Sequence, residues 1–308
     1  MSCSSVLNRT MEYFNSLYVI QPTDWPHKGW LESYCSRDSK GRILGINRYR
    51  QEAFFQKTSK YIIRRTKAEV LADLPEKQVN YQFIDLQASK QFVSSYNKHL
   101  DELEKTLSQL RNKTATQIDL IAKMQTIRHL VGVSKVPLVT EQILEWLDNI
   151  PNEKICIGIH NKLVAEMLMK SLKEYKPISI SDESALIKDQ RCDEFRTNPE
   201  RRVMIASILG CGIGRNLQFC SNVLVAEREW NKSIETQFED RFHRFGTQNK
   251  VIIDYSMAAQ TIDEMYDEMV KFKGQISGSV LEKDWNIDND LLVELAEKVI
   301  AKRLKYVG

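Results

Sequence analysis

The chain contains no Gly-x-x-x-x-Gly-Lys-Ser/Thr and neither Asp-Glu-x-His nor Asp-Glu-x-Asp. It therefore lacks the usual backbone cradle for nucleotide phosphates and the usual carboxylate that fixes their magnesium ion. Cysteine pairing is missing too. Cysteines at 3, 35, 156, 192, 211 and 220 are scattered, with no Cys-x-x-Cys. That excludes zinc-finger spacing, leaves no metal site to expect, and makes a disulfide framework a poor fit for a chain of 308 residues. No apolar run approaches the roughly 18 residues of a membrane span, and the N-terminus lacks the apolar core of a signal peptide. The expectation is a soluble intracellular protein with reduced thiols. Charge of one sign is scarce as well. A formal net charge of +3 is too small to argue for nucleic acid by itself.

What is present describes an ordinary globular chain, 42% hydrophobic and 28% charged, long enough for one substantial core with appendages or two small domains. Residues 1–75 read as helical and irregular, with turn signals at Gln21-Pro22, Trp25-Pro26 and Lys40-Gly41. Within them, the run from Lys57 to Lys67 holds five bases and no acid, the composition of a solvated helix face. Gln78–Phe83 alternates polar and apolar and predicts a strand. Phe92, Tyr96, Leu100, Leu103, Leu107 and Leu110 then recur at helical steps, and a second helical run carries Ile118, Ile121, Met124, Ile127 and Leu130.

From residue 132 short apolar runs alternate with helices. The strands expected are Ile155–Ile159, Pro177–Ile180, Val203–Ser207, Val223–Ala226 and Val251–Tyr255, with helices near 136–148, 161–174, 187–196 and 233–244. This alternation predicts an α/β fold, a parallel sheet with helices on both faces. Ligands gather at the carboxyl ends of such strands, here the loops after 159, 207 and 226. Beyond 260 the chain reads as helical, with Leu291, Leu295 and Val299 on one side.

Two segments carry chemistry. Ser207 to Leu217 follows a strand and holds Gly210, Gly212 and Gly214 at alternate positions, which lets backbone approach a phosphate closely; a tight connection is the plainer reading. Gln237-Phe-Glu-Asp-Arg241-Phe-His-Arg244-Phe-Gly246, read as a helix, sets Gln237, Arg241 and Arg244 on one face. Two guanidiniums side by side suit phosphate oxygens. The plainer reading there is a helix whose surface arginines pair with Glu239 and Asp240.

In this order the segments resemble motifs V and VI of the Swi/Snf-type branch of superfamily 2 helicases. Other stretches match as well. Tyr61-Ile-Ile-Arg64-Arg65-Thr-Lys67 with Leu74-Pro75-Glu-Lys77 is similar to the family's interlobe linker, and Lys135-Val-Pro137 with Glu141 to a segment of its annealing-helicase and bacterial or phage relatives. Lys154 to Asn161 stands where motif IV does, and Arg191 with Phe195 fits the helix after it. Thr261-Ile262-Asp263-Glu264 resembles the segment leading out of the lobe, and Asn8-Arg9 the tail of motif III. The chain departs from the pattern at Lys232 (a proline in the family), Arg215, Phe245 and Thr247, around Ser181-Asp182, and at Ser5, where motif III has proline.

The resemblance implies a RecA-like second lobe of a DNA-dependent ATPase that translocates on duplex DNA. It implies residues 1–77 as the end of lobe 1 and the linker, 78–131 as a strand and helical protrusion, 132–276 as the lobe, and 277–308 as a helical tail. Arg244 would be the arginine finger, Arg241 its neighbouring clamp and Gln237 the orienter. Gly212, Gly214 and Asn216 would lie where the loop meets DNA backbone and the lobe interface. His160 and Asn161 would contact phosphate, although a satisfied loop histidine fits the sequence equally. Trp230 would be a DNA or interlobe contact, or a core aromatic. Arg64 and Arg65 would belong to the linker, touching DNA or bracing the lobes. ATP and Mg2+ would be held mainly by a lobe 1 supplied in trans or by a longer parent chain, with DNA as the other partner. Such a protein is expected in the cytoplasm near the nucleoid, or in a nucleus. The alternative is a non-enzymatic DNA-binding or regulatory module; a nucleotide-binding domain of another kind would need a phosphate loop of its own.

Overall fold

The computed structural model describes residues 14, 17–21, 27–37, 43–61, 74–181, 184–211, 215–229, 232–265 and 289–307. The chain divides into two compact units, Met1–Ala72 with Val270–Leu292, and Asp73–Met269 with Val293–Gly308. In the first unit, helix α1 (His27–Tyr34) leads into an antiparallel pair, β1 (Cys35–Arg37) and β2 (Ile43–Ile46), followed by α2 (Gln51–Thr58). Phe54 is fully buried and meets the Tyr34 ring edge-on, with centroids 5.7 Å apart. The strand pair was not foreseen in a segment read as helical and irregular. Its Lys40-Gly41 turn signal lies outside the described residues, as do the Pro22 and Pro26 signals and Asn8-Arg9.

The second unit holds β3 (Lys77–Ile84), α3 (Lys90–Arg111), α4 (Gln117–Asn149), β4 (Ile155–Ile159), α5 (Lys162–Ser171), β5 (Ile178–Ile180), α6 (Ala185–Thr197), β6 (Val203–Ser207) and the single turn α7 (Ile208–Cys211). These are followed by β7 (Asn222–Val225), α8 (Lys232–Phe242) and β8 (Val251–Ala258), while α9 (Asn289–Ala301) joins from residue 293 on. Six strands form one wholly parallel sheet in the order β3-β8-β7-β4-β6-β5, with helices around it. This is the RecA-like architecture.

Alternation along the strands sorts the core into two faces. Cys156, Met204, Ala206, Val223, Val225, Ile253 and Tyr255 point into one cluster with Phe195 of α6 and Phe238 and Phe242 of α8. Ile155, Ile157, Ile159, Val203 and Ile205 are buried outside that cluster, as are Val139 and Ile143 of α4 and Val164 and Leu168 of α5.

Helix starts follow from their caps. Ser89 accepts the Phe92 N–H at 3.2 Å to open α3, and Thr116 with Asp119 forms a reciprocal capping box for α4. The two helical stretches expected near 118–130 and 136–148 are one 33-residue helix. Pro137 sits inside it and removes one backbone donor without ending it, because both flanks are buried against other elements. The Gln78–Phe83 strand belongs to the same sheet as the others, at its edge beside β8.

Candidate functional site

Helix α8 is fixed by its apolar face. Phe238 and Phe242 are buried and stack edge to face at 5.1 Å. Gly158 of β4 permits this approach, since a Cβ there would stand 3.0 Å from the Phe238 ring. Two acidic residues of α8, Glu235 and Glu239, are buried and committed inward. Glu235 takes both Nε and Nη2 of Arg228, at 2.7 and 2.8 Å, and Glu239 accepts from Lys77 and the Tyr255 hydroxyl, each at 2.7 Å. The Arg228 guanidinium lies 4.5 Å from the Tyr255 ring centre. Burial, and then the charges of Glu235 and Glu239, push the Tyr255 hydroxyl far above its ordinary range.

Gln237 and Arg241 stand half-buried on another side of α8. The helix ends at Phe242, so Arg244 is not on the helical face that periodicity suggested. It opens a tight turn in which Thr247 N–H donates to Arg244 O at 2.9 Å and Gly246 takes φ +93°, a conformation that favours glycine. Thr247 Oγ1 accepts the Arg244 N–H at 3.0 Å and lies 2.9 Å from Phe242 O, closing the end of the helix. The Arg244 side chain is exposed, and its Nη1 donates to Asn216 Oδ1 at 2.6 Å. Next to Asn216, Leu217 N–H donates to Arg241 O at 3.1 Å. The segment before β7 is thus tied to the end of α8 through the Arg241 carbonyl and through the Asn216 and Arg244 side chains.

His160 and Asn161 sit at the carboxyl end of β4, in a different network. Both backbone N–H groups donate to Glu227 Oε2, at 2.9 and 2.8 Å, and His160 Nδ1 lies 3.0 Å from Glu229 Oε2. Asn161 also caps α5 through Leu163 N–H and contacts His129 of α4. Together with Gln125, Thr126, Arg128 and Lys162 they line a polar cleft of about 480 Å³. Gly212, Gly214, Trp230, Arg64 and Arg65 lie outside the described residues.

Sequence reasoning missed the buried carboxylates Glu227 and Glu229, and it missed the work of Lys135. That ammonium, 1% exposed, donates to Ala226 O (2.6 Å), Ser256 O (2.9 Å) and Asp263 Oδ2 (2.5 Å). One cation therefore ties α4 to the ends of β7 and β8 and to the segment leading away from the sheet. A signal existed, since Lys135 falls on the same stripe as the buried Val131 and Val139.

No protein-family profile matches the chain. It is 30% identical over 224 residues to the SWI/SNF-related matrix-associated actin-dependent regulator of chromatin subfamily A-like protein 1 homolog of Caenorhabditis elegans, covering 71% of this chain and 31% of that protein. It is 31% identical over 254 residues to the DNA annealing helicase and endonuclease ZRANB3 of Bos taurus, covering 80% and 23%. Its homologues are SWI/SNF-type helicases. The chain spans about a quarter to a third of the length of these relatives. Among solved structures, the Sulfolobus solfataricus SWI2/SNF2 ATPase C-terminal domain superposes with a TM-score of 0.56 at 16% identity, over 76% of this chain and 100% of that one. The same organism's SWI2/SNF2 ATPase core in complex with dsDNA gives 0.58 at 18%, over 92% and 61%. The fold is that of the C-terminal SWI2/SNF2 ATPase lobe. Among the described residues, no helix is long and apolar enough to cross a membrane, and no three His, Cys, Asp or Glu side chains group to hold a metal ion.

Proposed function

We propose that this chain is the second lobe of a DNA-dependent ATPase that tracks along duplex DNA, acting on an ATP held by a lobe 1 in trans or elsewhere in a longer parent chain. The observation that carries the reading is the exposed Arg244 guanidinium, presented on a hydrogen-bonded turn three residues after Arg241, in a sequence with no phosphate loop. The residues present do not fit a complete ATP and magnesium site; they fit one edge of it. Bound ATP supplies the phosphoryl group. Arg244 supplies fixed positive charge where the phosphoryl oxygens become more negative, a contribution of roughly 10³–10⁵ in rate where such fingers operate. Arg241 adds a second cation, and Gln237, one turn before it on α8, orients. DNA is engaged mainly through its backbone by the segment around Gly212 and Gly214, while Asn216, hydrogen-bonded to Arg244, stands on the lobe-interface side of that loop. The Glu227 and Glu229 carboxylates beside His160 and Asn161 favour a role for those two residues in shaping the loop over direct phosphate contact.

The test is DNA-stimulated ATP turnover by the purified chain, alone and mixed with a lobe 1 from a SWI/SNF-type relative. Turnover is expected only in the mixture. Arg244→Ala should lower it about 10³-fold or more, with DNA affinity unchanged within a few-fold. Turnover by the chain alone would reveal a nucleotide site of its own. Silence in the mixture with DNA still bound would make the chain a regulatory module, and wild-type turnover by the variant would remove Arg244 from the chemistry.

A further inference from the structure

We infer that Asn216 is a positioning residue for Arg244, holding its guanidinium in place through a neutral acceptor that leaves the positive charge intact; this rests on the reading of Arg244 as the interlobe arginine. Arg244 needs such a partner because it has left the helix. Helical residues have their side-chain directions narrowed by the preceding turn, whereas Arg244 follows the last helical residue, Phe242, and is exposed. A long exposed arginine samples many rotamers, and an unheld one seldom points where it is needed. Asn216 Oδ1 accepts from Nη1 at 2.6 Å, which removes much of that freedom.

Asn216 can do this because its neighbours are fixed on both sides. Leu217 is fully buried, and its N–H donates to Arg241 O at 3.1 Å, joining the segment to the end of α8. Arg215 on the other side is paired with Asp189 of α6 at 3.3 Å and donates to Gly210 O at 3.2 Å. The acceptor is therefore carried on an anchored piece of backbone. Its chemical type matters as much as its position. A carboxylate there would hold the guanidinium more tightly but would also neutralise it, and a guanidinium has five N–H donors, of which the amide uses one. Asparagine orients the group and leaves both its charge and most of its donors available. The arrangement also links the ATP-facing arginine to the segment that follows the glycine-rich stretch, so a displacement of that segment moves Arg244 with it.

The experiment compares Asn216→Ala, Asn216→Asp and Arg244→Ala by two readouts. The first is the side-chain 15N spectrum of arginine-labelled chain alone, with the Arg244 signal assigned by its absence in Arg244→Ala. Restricted guanidinium motion is expected in the wild type and in Asn216→Asp, and fast motion in Asn216→Ala. The second is turnover and DNA affinity with lobe 1 supplied. Asn216→Ala should lower kcat about tenfold and Asn216→Asp at least as much, both with DNA affinity within twofold of wild type. If Asn216 contacts DNA phosphate instead, the aspartate will weaken DNA binding beyond the alanine and Arg244 motion will not follow the series; that overturns the inference. Unchanged turnover in Asn216→Ala, whether or not Arg244 becomes mobile, also overturns it. Wild-type turnover in Arg244→Ala defeats the interlobe reading itself and is recognisable independently of either Asn216 variant.

Discussion

Lys135 and Arg244 show two ways of using a cation in one lobe. Around Lys135, all three ammonium donors meet protein acceptors and the group is sealed from water. At the turn after α8, Arg244 is exposed and its guanidinium has one neutral acceptor, Asn216, among the described residues. The first arrangement has no valence left for a ligand and serves only to join elements. The second contributes little to joining and keeps its charge on offer. Satisfaction of donors, more than residue type, separates the cations that build this lobe from those that can act outside it.

Exchanging the two roles gives the largest expected effect. Lys135→Ala should destabilise the lobe by about 3–5 kcal/mol in urea unfolding, because it leaves the Asp263 carboxylate and two carbonyls buried without their cation. Arg244→Ala should change the same midpoint by less than about 0.5 kcal/mol. Equal losses from both would erase the distinction.

Alkaline titration sharpens the buried side. Burial pushes the Cys211 and Cys220 thiols up from an ordinary value near 9 to about 12, and Cys156 also rises well above it. The folded protein then keeps protons that the unfolded chain releases. The associated stability is fully present below pH 9 and is lost as pH rises from 9 through 12, at about 1.4 kcal/mol per pH unit for each thiol. Urea midpoints measured across that window should fall steeply, and a flat profile would contradict the burial. A more local loss is expected from Gly132→Ala. Its Cβ would stand 2.4 Å from Glu227 Oε1 and push the carboxylate off the His160 and Asn161 amides, at about 1–3 kcal/mol. A neutral result would show that Glu227 has room to move.

The strands were the most legible part of the sequence. Ile155–Ile159 and Val203–Ser207 have identical bounds in both readings, and the other four expected strands overlap those found; apart from Gln78–Phe83, which alternates, they are buried parallel strands that read as short continuous apolar runs. The β1–β2 pair escaped notice because Cys35-Ser-Arg37 is short and lacks alternation. Helix α4 was divided because apolar residues change stripes along its 33 positions and Pro137 looks like an end. At the site, the residue types along α8 were legible but the stop at Phe242 was not. That stop depends on Thr247 and Gly246 closing the chain back on the helix, which spacing alone does not encode. The carboxylates Glu227 and Glu229 gave no local sign, since their meaning lies in β4, about 67 positions earlier.

The place of β3 at the sheet edge has a consequence for synthesis of the protein. Its partner β8 arrives last, and contacts such as Asn80 with Asp254 span 174 positions. At translation rates of about 5–20 residues per second, β3 waits roughly 10–35 s for its neighbour. During that interval a parallel edge is open and the sheet cannot be completed, so its folding is slow and waits for its last strand.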